Sequence, residues 1–193
     1  MKEKFFKNRA EYLADEVFVK RWSPRSFLPE VIPDDVLEKI FDAARWSPST
    51  VNEQPWLFYT AGRNSESFGL YLNCLNEGNR LWAKNAGLIG FLVARKFFKA
   101  KDKVNSLGDF DCGSSWMSLT LQARFLGLYT HGLGGIMREK IQKVLSLNPE
   151  DFKVIMGFVV GKIDKPDELS MELRAKEIPS LRLSLEDIWH HSS

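Results

Sequence analysis

The chain has 193 residues, 44% of them hydrophobic, and a chain of this size buries roughly 70% of its unfolded surface in one compact domain. Its formal charge is +2, from 27 basic against 25 acidic side chains, so it lacks the strong positive field that often accompanies nucleic-acid binding. Cys74 and Cys112 are far apart and outside any Cys-x-x-Cys pair, which argues against structural zinc and against a disulfide framework.

In chain order, Met1 to Phe6 runs into Lys7, Asn8 and Arg9 without the apolar core of a signal peptide. No apolar run reaches membrane-spanning length, so the expectation is a cytoplasmic protein with no membrane partner. Phe5 to Lys20 reads as an amphipathic helix, with Phe5, Tyr12, Leu13, Val17 and Phe18 as its apolar positions. Val36, Leu37, Ile40, Phe41 and Ala44 keep a helical period; Pro33, Asp34 and Asp35 suit its first turn and Pro48 stops it. A short strand is expected at Trp56 to Ala61, helices at Phe68 to Cys74 and around Trp82, and a buried strand at Gly87 to Arg95. Cys112 to Phe125 reads as a buried helix whose Gly113, Ser114 and Ser115 permit close packing. A short helix at Ile141 to Leu145 and a second buried strand at Phe152 to Ile163 follow.

This mixture gives a single α+β domain, a central sheet covered by helices, over residues 1–193. Residues 164–193 read as an extended arm, in which Leu181, Leu183, Leu185, Ile188 and Trp189 come after the globular pattern has ended. They need a surface to bury against, and a neighbouring subunit supplies one.

The candidate site rests on two segments. Lys20-Arg21-Trp22-Ser23-Pro24-Arg25-Ser26-Phe27 offers two guanidiniums and nearby hydroxyls, a donor set suited to a phosphate. Ser47-Pro48-Ser49-Thr50-Val51-Asn52-Glu53-Gln54-Pro55-Trp56 offers compact amide and hydroxyl donors on a backbone punctuated by proline. Taken alone, the first is also what a solvated basic turn looks like, and the second also what helix termination looks like. Two further motifs stand in register: Gly78-Asn79-Arg80-Leu81-Trp82-Ala83-Lys84-Asn85-Ala86 and Thr130-His131-Gly132-Leu133-Gly134-Gly135.

With these four in order, the chain resembles the FMN-dependent nitroreductase family over nearly its whole length. The resemblance implies an α+β homodimer with a central mixed, mainly antiparallel sheet flanked by helices. Its carboxy-terminal arms would wrap the partner, and each FMN would be held by both chains. It implies that Arg21, Trp22, Ser23 and Arg25 bind the cofactor from the first segment, with Arg182 closing on the phosphate from the arm. Ser49 and Asn52 would be donated by the other subunit toward the ring and ribityl hydroxyls, with Pro48 and Thr50 of the same motif also among the cofactor-binding residues. Asn79 would meet the pyrimidine edge, and Leu133, Gly134 and Gly135 would lie against the ring, where a backbone amide can donate to N5. Trp22 stands where relatives usually carry a basic residue or histidine, exchanging a charge for a stacking surface. Ser180 stands where many relatives are basic.

The activity implied is a ping-pong transfer from NAD(P)H to small acceptors such as nitroaromatics or quinones, with no metal and no catalytic side chain, because the cofactor performs the hard step. His131 reads as a structural hydrogen-bonding residue and Cys112 as an inert thiol. A non-catalytic flavin-binding or regulatory protein, its ring face blocked by Phe97, Phe98 and Phe110, stays open as an alternative. So does a plain interaction module whose basic turn binds an acidic partner.

Overall fold

The computed structural model describes residues 12–100 and 103–192, so Phe5 and the first half of the expected amino-terminal helix lie outside it. The described remainder is the short helix α1 (Glu16–Lys20), which buries none of its own residues; Tyr12 and Leu13 precede it and are exposed. Helix α2 (Asp34–Arg45) follows its sequence signals. Asp34 and Asp35 set negative charge on the positive end of the macrodipole, and Arg45 sets positive charge in the last turn.

The chain continues through β1 (Trp56–Gly62), α3 (Glu66–Leu72), α4 (Glu77–Ala83), β2 (Leu88–Arg95), α5 (Gly108–Phe125) and β3 (Tyr129–Leu133). Then come α6 (Arg138–Val144), β4 (Phe152–Gly161), a 3₁₀ turn (Pro166–Glu168) and α7 (Met171–Ala175). The strands form one sheet in the order β1-β2-β4-β3, with every neighbouring pair antiparallel. The expected mixed sheet is therefore corrected: among the described residues no pair is parallel. The reason is topological. Strands β2 and β3 run the same way across α5, but β4 inserts between them and opposes both.

Strand β2 is apolar and buried from Leu88 to Ala94 because both faces of the sheet are covered. Its alternation sends Ile89, Phe91 and Val93 into a core with Phe68, Tyr71 and Trp82 of α3 and α4. Leu88, Leu92 and Ala94 go to the other core, with Ile40 and Ala44 of α2 and Cys112, Leu119 and Ala123 of α5. Gly90 makes room for a neighbour, since a Cβ there would sit 2.5 Å from the ring of Phe158 on β4. Helix α5 starts at Gly108, four residues before its expected start at Cys112. Its Ser115 hydroxyl donates to the Ala44 carbonyl at 3.1 Å, the close approach of α2 that the small residues permit.

No strand was expected between Phe125 and Ile141, yet β3 lies there, pairing from Tyr129↔Gly161 to Leu133↔Gly157. It is short and carries Gly132, so alternation does not announce it; an open edge on β4 recruits it. The carboxy-terminal segment also differs from expectation. Residues 164–177 are stitched to the body, and the uncovered arm begins only at Ile178. From there Ile178, Leu181, Leu183, Leu185, Ile188 and Trp189 are between 53% and 72% exposed, apolar side chains that no other described residue covers.

Candidate functional site

The turn after α1 is built by bonds from two directions. From β3, His131 Nδ1 donates to the Pro24 carbonyl at 2.8 Å. From the carboxy-terminal side, Glu177 Oε1 accepts the backbone N–H groups of Arg25 and Ser26 at 2.7 and 2.8 Å. Asp164 N–H donates to the Ser26 carbonyl at 3.0 Å, and the Ser26 hydroxyl donates to the Lys165 carbonyl at 2.6 Å. Leu28 N–H then donates to the Lys162 carbonyl at 2.9 Å. Phe27 anchors the turn from below: its ring stacks on Trp82 at 6.2 Å and lies over Gly161, where a Cβ would be 2.7 Å away.

This scaffold leaves two half-buried guanidiniums near each other. Arg21 Nη1 reaches Ser23 Oγ at 3.4 Å, and Arg25 Nη1 stands 3.8 Å from Glu177 Oε2. Their positive charge is felt at His131. Burial pushes that imidazole down to about 4, and Arg25 and Arg21 push the same way, against the raising effect of the bond to Pro24. At neutral pH the ring is uncharged, with the proton on Nδ1, and tilted against Trp82 at 4.7 Å. It serves as a strut for the turn.

Trp22 departs from the stacking surface expected of it. Its side chain is 4% exposed and meets Tyr129 edge-on at 6.4 Å, so the indole belongs to the core. Leu133 is likewise buried, and only its backbone continues toward the glycine pair. Asn79, from α4, is joined to that pair: its Nδ2 donates to the Gly135 carbonyl at 3.0 Å, and the same carbonyl accepts from Asn76 N–H. The two glycines differ. A Cβ on Gly135 would fall 2.6 Å from Asn79 Nδ2, whereas a Cβ on Gly134 would meet nothing within 4 Å. Gly134 is thus an open ledge at the end of β3, the strand whose His131 holds the turn.

The second motif lies elsewhere in the chain. Pro48 is exposed. Ser49 Oγ accepts from Gln54 N–H at 2.9 Å, and Thr50 N–H donates to the buried carboxylate of Asp111 on α5 at 3.1 Å. Val51, Asn52 and Gln54 all have positive φ, at 46°, 59° and 50°. Asn52 accommodates this readily; Val51, β-branched and 79% exposed, is strained and gains no packing in return. The motif feeds β1, which with β3 forms the two opposite edges of the sheet, three strand spacings or about 14 Å apart. Within one chain His131 ties the Arg21–Arg25 turn to β3, the strand that ends at the ledge, and the second motif feeds the opposite edge of the sheet. Arg182 is engaged locally: its Nη1 donates to the carbonyls of Ser180 and Leu181 and to the Ser180 hydroxyl.

Two residues central to this geometry, Glu177 and Asp111, escape the sequence reading. Glu177 stands in the charged stretch Arg174-Ala175-Lys176-Glu177, and its partners are about 150 positions away. Asp111 reads only as an acid near a helix start. Cys112 is fully buried, and burial first, then Asp109 and Asp111, pushes its thiol up to about 12, so it offers no thiolate. Of the aromatic cluster, Phe97 and Phe98 line a pocket of about 240 Å³ with Arg95, Lys99, Asp151 and Phe152, while Phe110 points out from α5, 75% exposed. The pocket abuts the second motif, because Glu53 accepts the Lys99 N–H.

The antiparallel α+β fold gives the class of the molecule, and the comparisons specify the family. The nitroreductase family model matches residues 18–68, the stretch that holds the first two motifs. A solved structure of an oxidoreductase containing FMN is 38% identical, superposes with a TM-score of 0.90, and shares 95% of this chain and 94% of its own. A nitroreductase family protein from Clostridium difficile has the same fold at 23% identity, with a TM-score of 0.71 over 94% of this chain and 99% of its own. The enone reductase of CLA biosynthesis in Lactiplantibacillus plantarum is 27% identical over 78% of this chain and 85% of its own length. The chain belongs to the nitroreductase family.

Proposed function

We propose that the protein is a homodimeric FMN-dependent oxidoreductase that draws on NAD(P)H to reduce small acceptors such as nitroaromatics or quinones. The observation that carries this reading is the Arg21–Arg25 turn, held from two sides and tied through His131 to β3, the strand that ends at the open Gly134. The residues present fit FMN. Two guanidiniums and the Ser23 hydroxyl suit a phosphate of roughly −1.5 to −2 charge. The uncrowded Gly134 lets a flat ring approach the backbone.

Glu177 stands against Arg25 in the turn, so a further cation would strengthen the hold on a phosphate dianion, and Arg182 is the arm's candidate. Ser49, Thr50 and Asn52 would complete the site from the partner, since the width of the sheet separates them from their own chain's turn. Bound flavin supplies two-electron hydride chemistry that no side chain of the site offers. The chain's part is to orient, to exclude water and to present backbone N–H groups. Cys112 is held as the thiol and His131 as the neutral ring, so neither supplies a thiolate or a protonated imidazole. The nicotinamide and the acceptor would share the space above the ledge in turn, which gives ping-pong order. The kinship to an enone reductase adds activated alkenes to the acceptors worth trying.

Anaerobic stopped-flow mixing of the FMN-loaded protein with NADH or NADPH tests the proposal. Bleaching of the flavin band, reversed by a quinone or nitroaromatic, supports it. A band unmoved by either nicotinamide would favour a flavin-binding protein without catalysis.

A further inference from the structure

Glu177 lies where a carboxylate is least expected, in the middle of a turn that exists to gather positive charge. It is 3% exposed, and its Oε1 accepts both the Arg25 and the Ser26 N–H. Those two donors are adjacent on the backbone and converge on one oxygen, so the carboxylate fixes the peptide plane between Arg25 and Ser26. Its other oxygen makes no hydrogen bond among the described residues and faces the Arg25 guanidinium across 3.8 Å. Distance decides which role is larger. Bonds of 2.7 and 2.8 Å to buried backbone groups outweigh a pair at 3.8 Å whose arginine is partly solvated.

From this geometry we infer that Glu177 is the positioning residue of the anion site, acting through the Arg25–Ser26 backbone rather than by touching the ligand. This rests on the FMN reading of the Arg21–Arg25 turn given above. Left without the clamp, Arg25 N–H and Ser26 N–H would be two unpaired donors in a turn already carrying two guanidiniums, and the turn would relax toward solvent. With it, the Arg25 side chain leaves the backbone at a set angle, and the phosphate meets a preformed fork. Glu177 also directly precedes Ile178, where the exposed arm begins, so one carboxylate ties the root of the arm to the phosphate turn.

The test compares FMN with riboflavin, which lacks the phosphate, on the flavin-stripped full-length chain by flavin fluorescence. Glu177→Ala should weaken FMN by roughly tenfold to a hundredfold, the range of one charge-assisted contact, and leave riboflavin within about twofold. Glu177→Gln, whose carbonyl oxygen still accepts both N–H groups, should recover most of the FMN affinity. An equal loss for both flavins, or no loss for either, would overturn the assignment, as would a Glu177→Gln protein no better than Glu177→Ala. Amide hydrogen exchange keeps the two readings separate. If the wild-type chain binds neither flavin, the FMN reading falls, and fast exchange at Arg25 and Ser26 in that same protein would overturn the clamp too. Protection there that Glu177→Ala removes and Glu177→Gln restores would sustain the clamp.

Discussion

Gly134 and Gly135 are neighbours with opposite demands, and the difference separates a structural residue from a binding one. Alanine at 135 must turn the Asn79 amide aside and break its bond to the Gly135 carbonyl, so Gly135→Ala should destabilise the fold by about 1 kcal/mol, the net worth of one hydrogen bond. Alanine at 134 meets nothing in the chain, so Gly134→Ala should melt like the wild type and yet bind FMN more weakly. Thermal melts and flavin titrations on the pair check both. His131 makes a second prediction with a definite sign. Its imidazole titrates near 4 in the folded state against about 6.5 when unfolded, so between these pH values the unfolded chain holds the extra proton. Stability should therefore fall as pH drops from about 6.5 to about 4, with this contribution absent above 6.5. His131→Asn, which cannot titrate there, should flatten the slope in denaturant melts taken across that range.

Among elements, the strained turn before β1 invites a substitution that improves the fold. Val51 is solvated and left-handed, so Val51→Asn should raise stability by about 1 kcal/mol, measured as a higher melting temperature; a lower one would show that the strain is compensated elsewhere. The strength of sequence patterns sorts what could be read in advance. The runs at β2 and β4 and the capped period of α2 were legible because burial on both faces, or on one stripe, leaves a mark in adjacent residues. Strand β3 left none, because five residues broken by Gly132 owe their conformation to an edge on β4. The first-segment arginines offer a candidate anion turn from their chemistry alone. Glu177 and Asp111, which hold the two loops, were not legible, since each acts on residues far away in sequence. Trp22 was misread for a similar reason: next to two arginines an indole suggests a stacking surface, but Tyr129 and the core claim it.

The whole molecule carries an apolar arm that the other described residues leave uncovered, and Arg182 stands on it. Removing residues after Pro179 should weaken both self-association and FMN retention, each buried apolar side chain costing about 1.5 kcal/mol or more. Arg182→Ala should loosen the flavin alone. Sedimentation paired with flavin fluorescence separates the two; a truncated protein that remains dimeric and yellow would deny the arm both roles. The central claim, that the Arg21–Arg25 turn is the phosphate seat of a flavin, is tested most directly by the mass of the cofactor released from the purified protein, wild type beside Arg21→Ala/Arg25→Ala. The account predicts FMN from the first and little or none from the second. FAD as the sole flavin, or FMN retained equally by both, would contradict it.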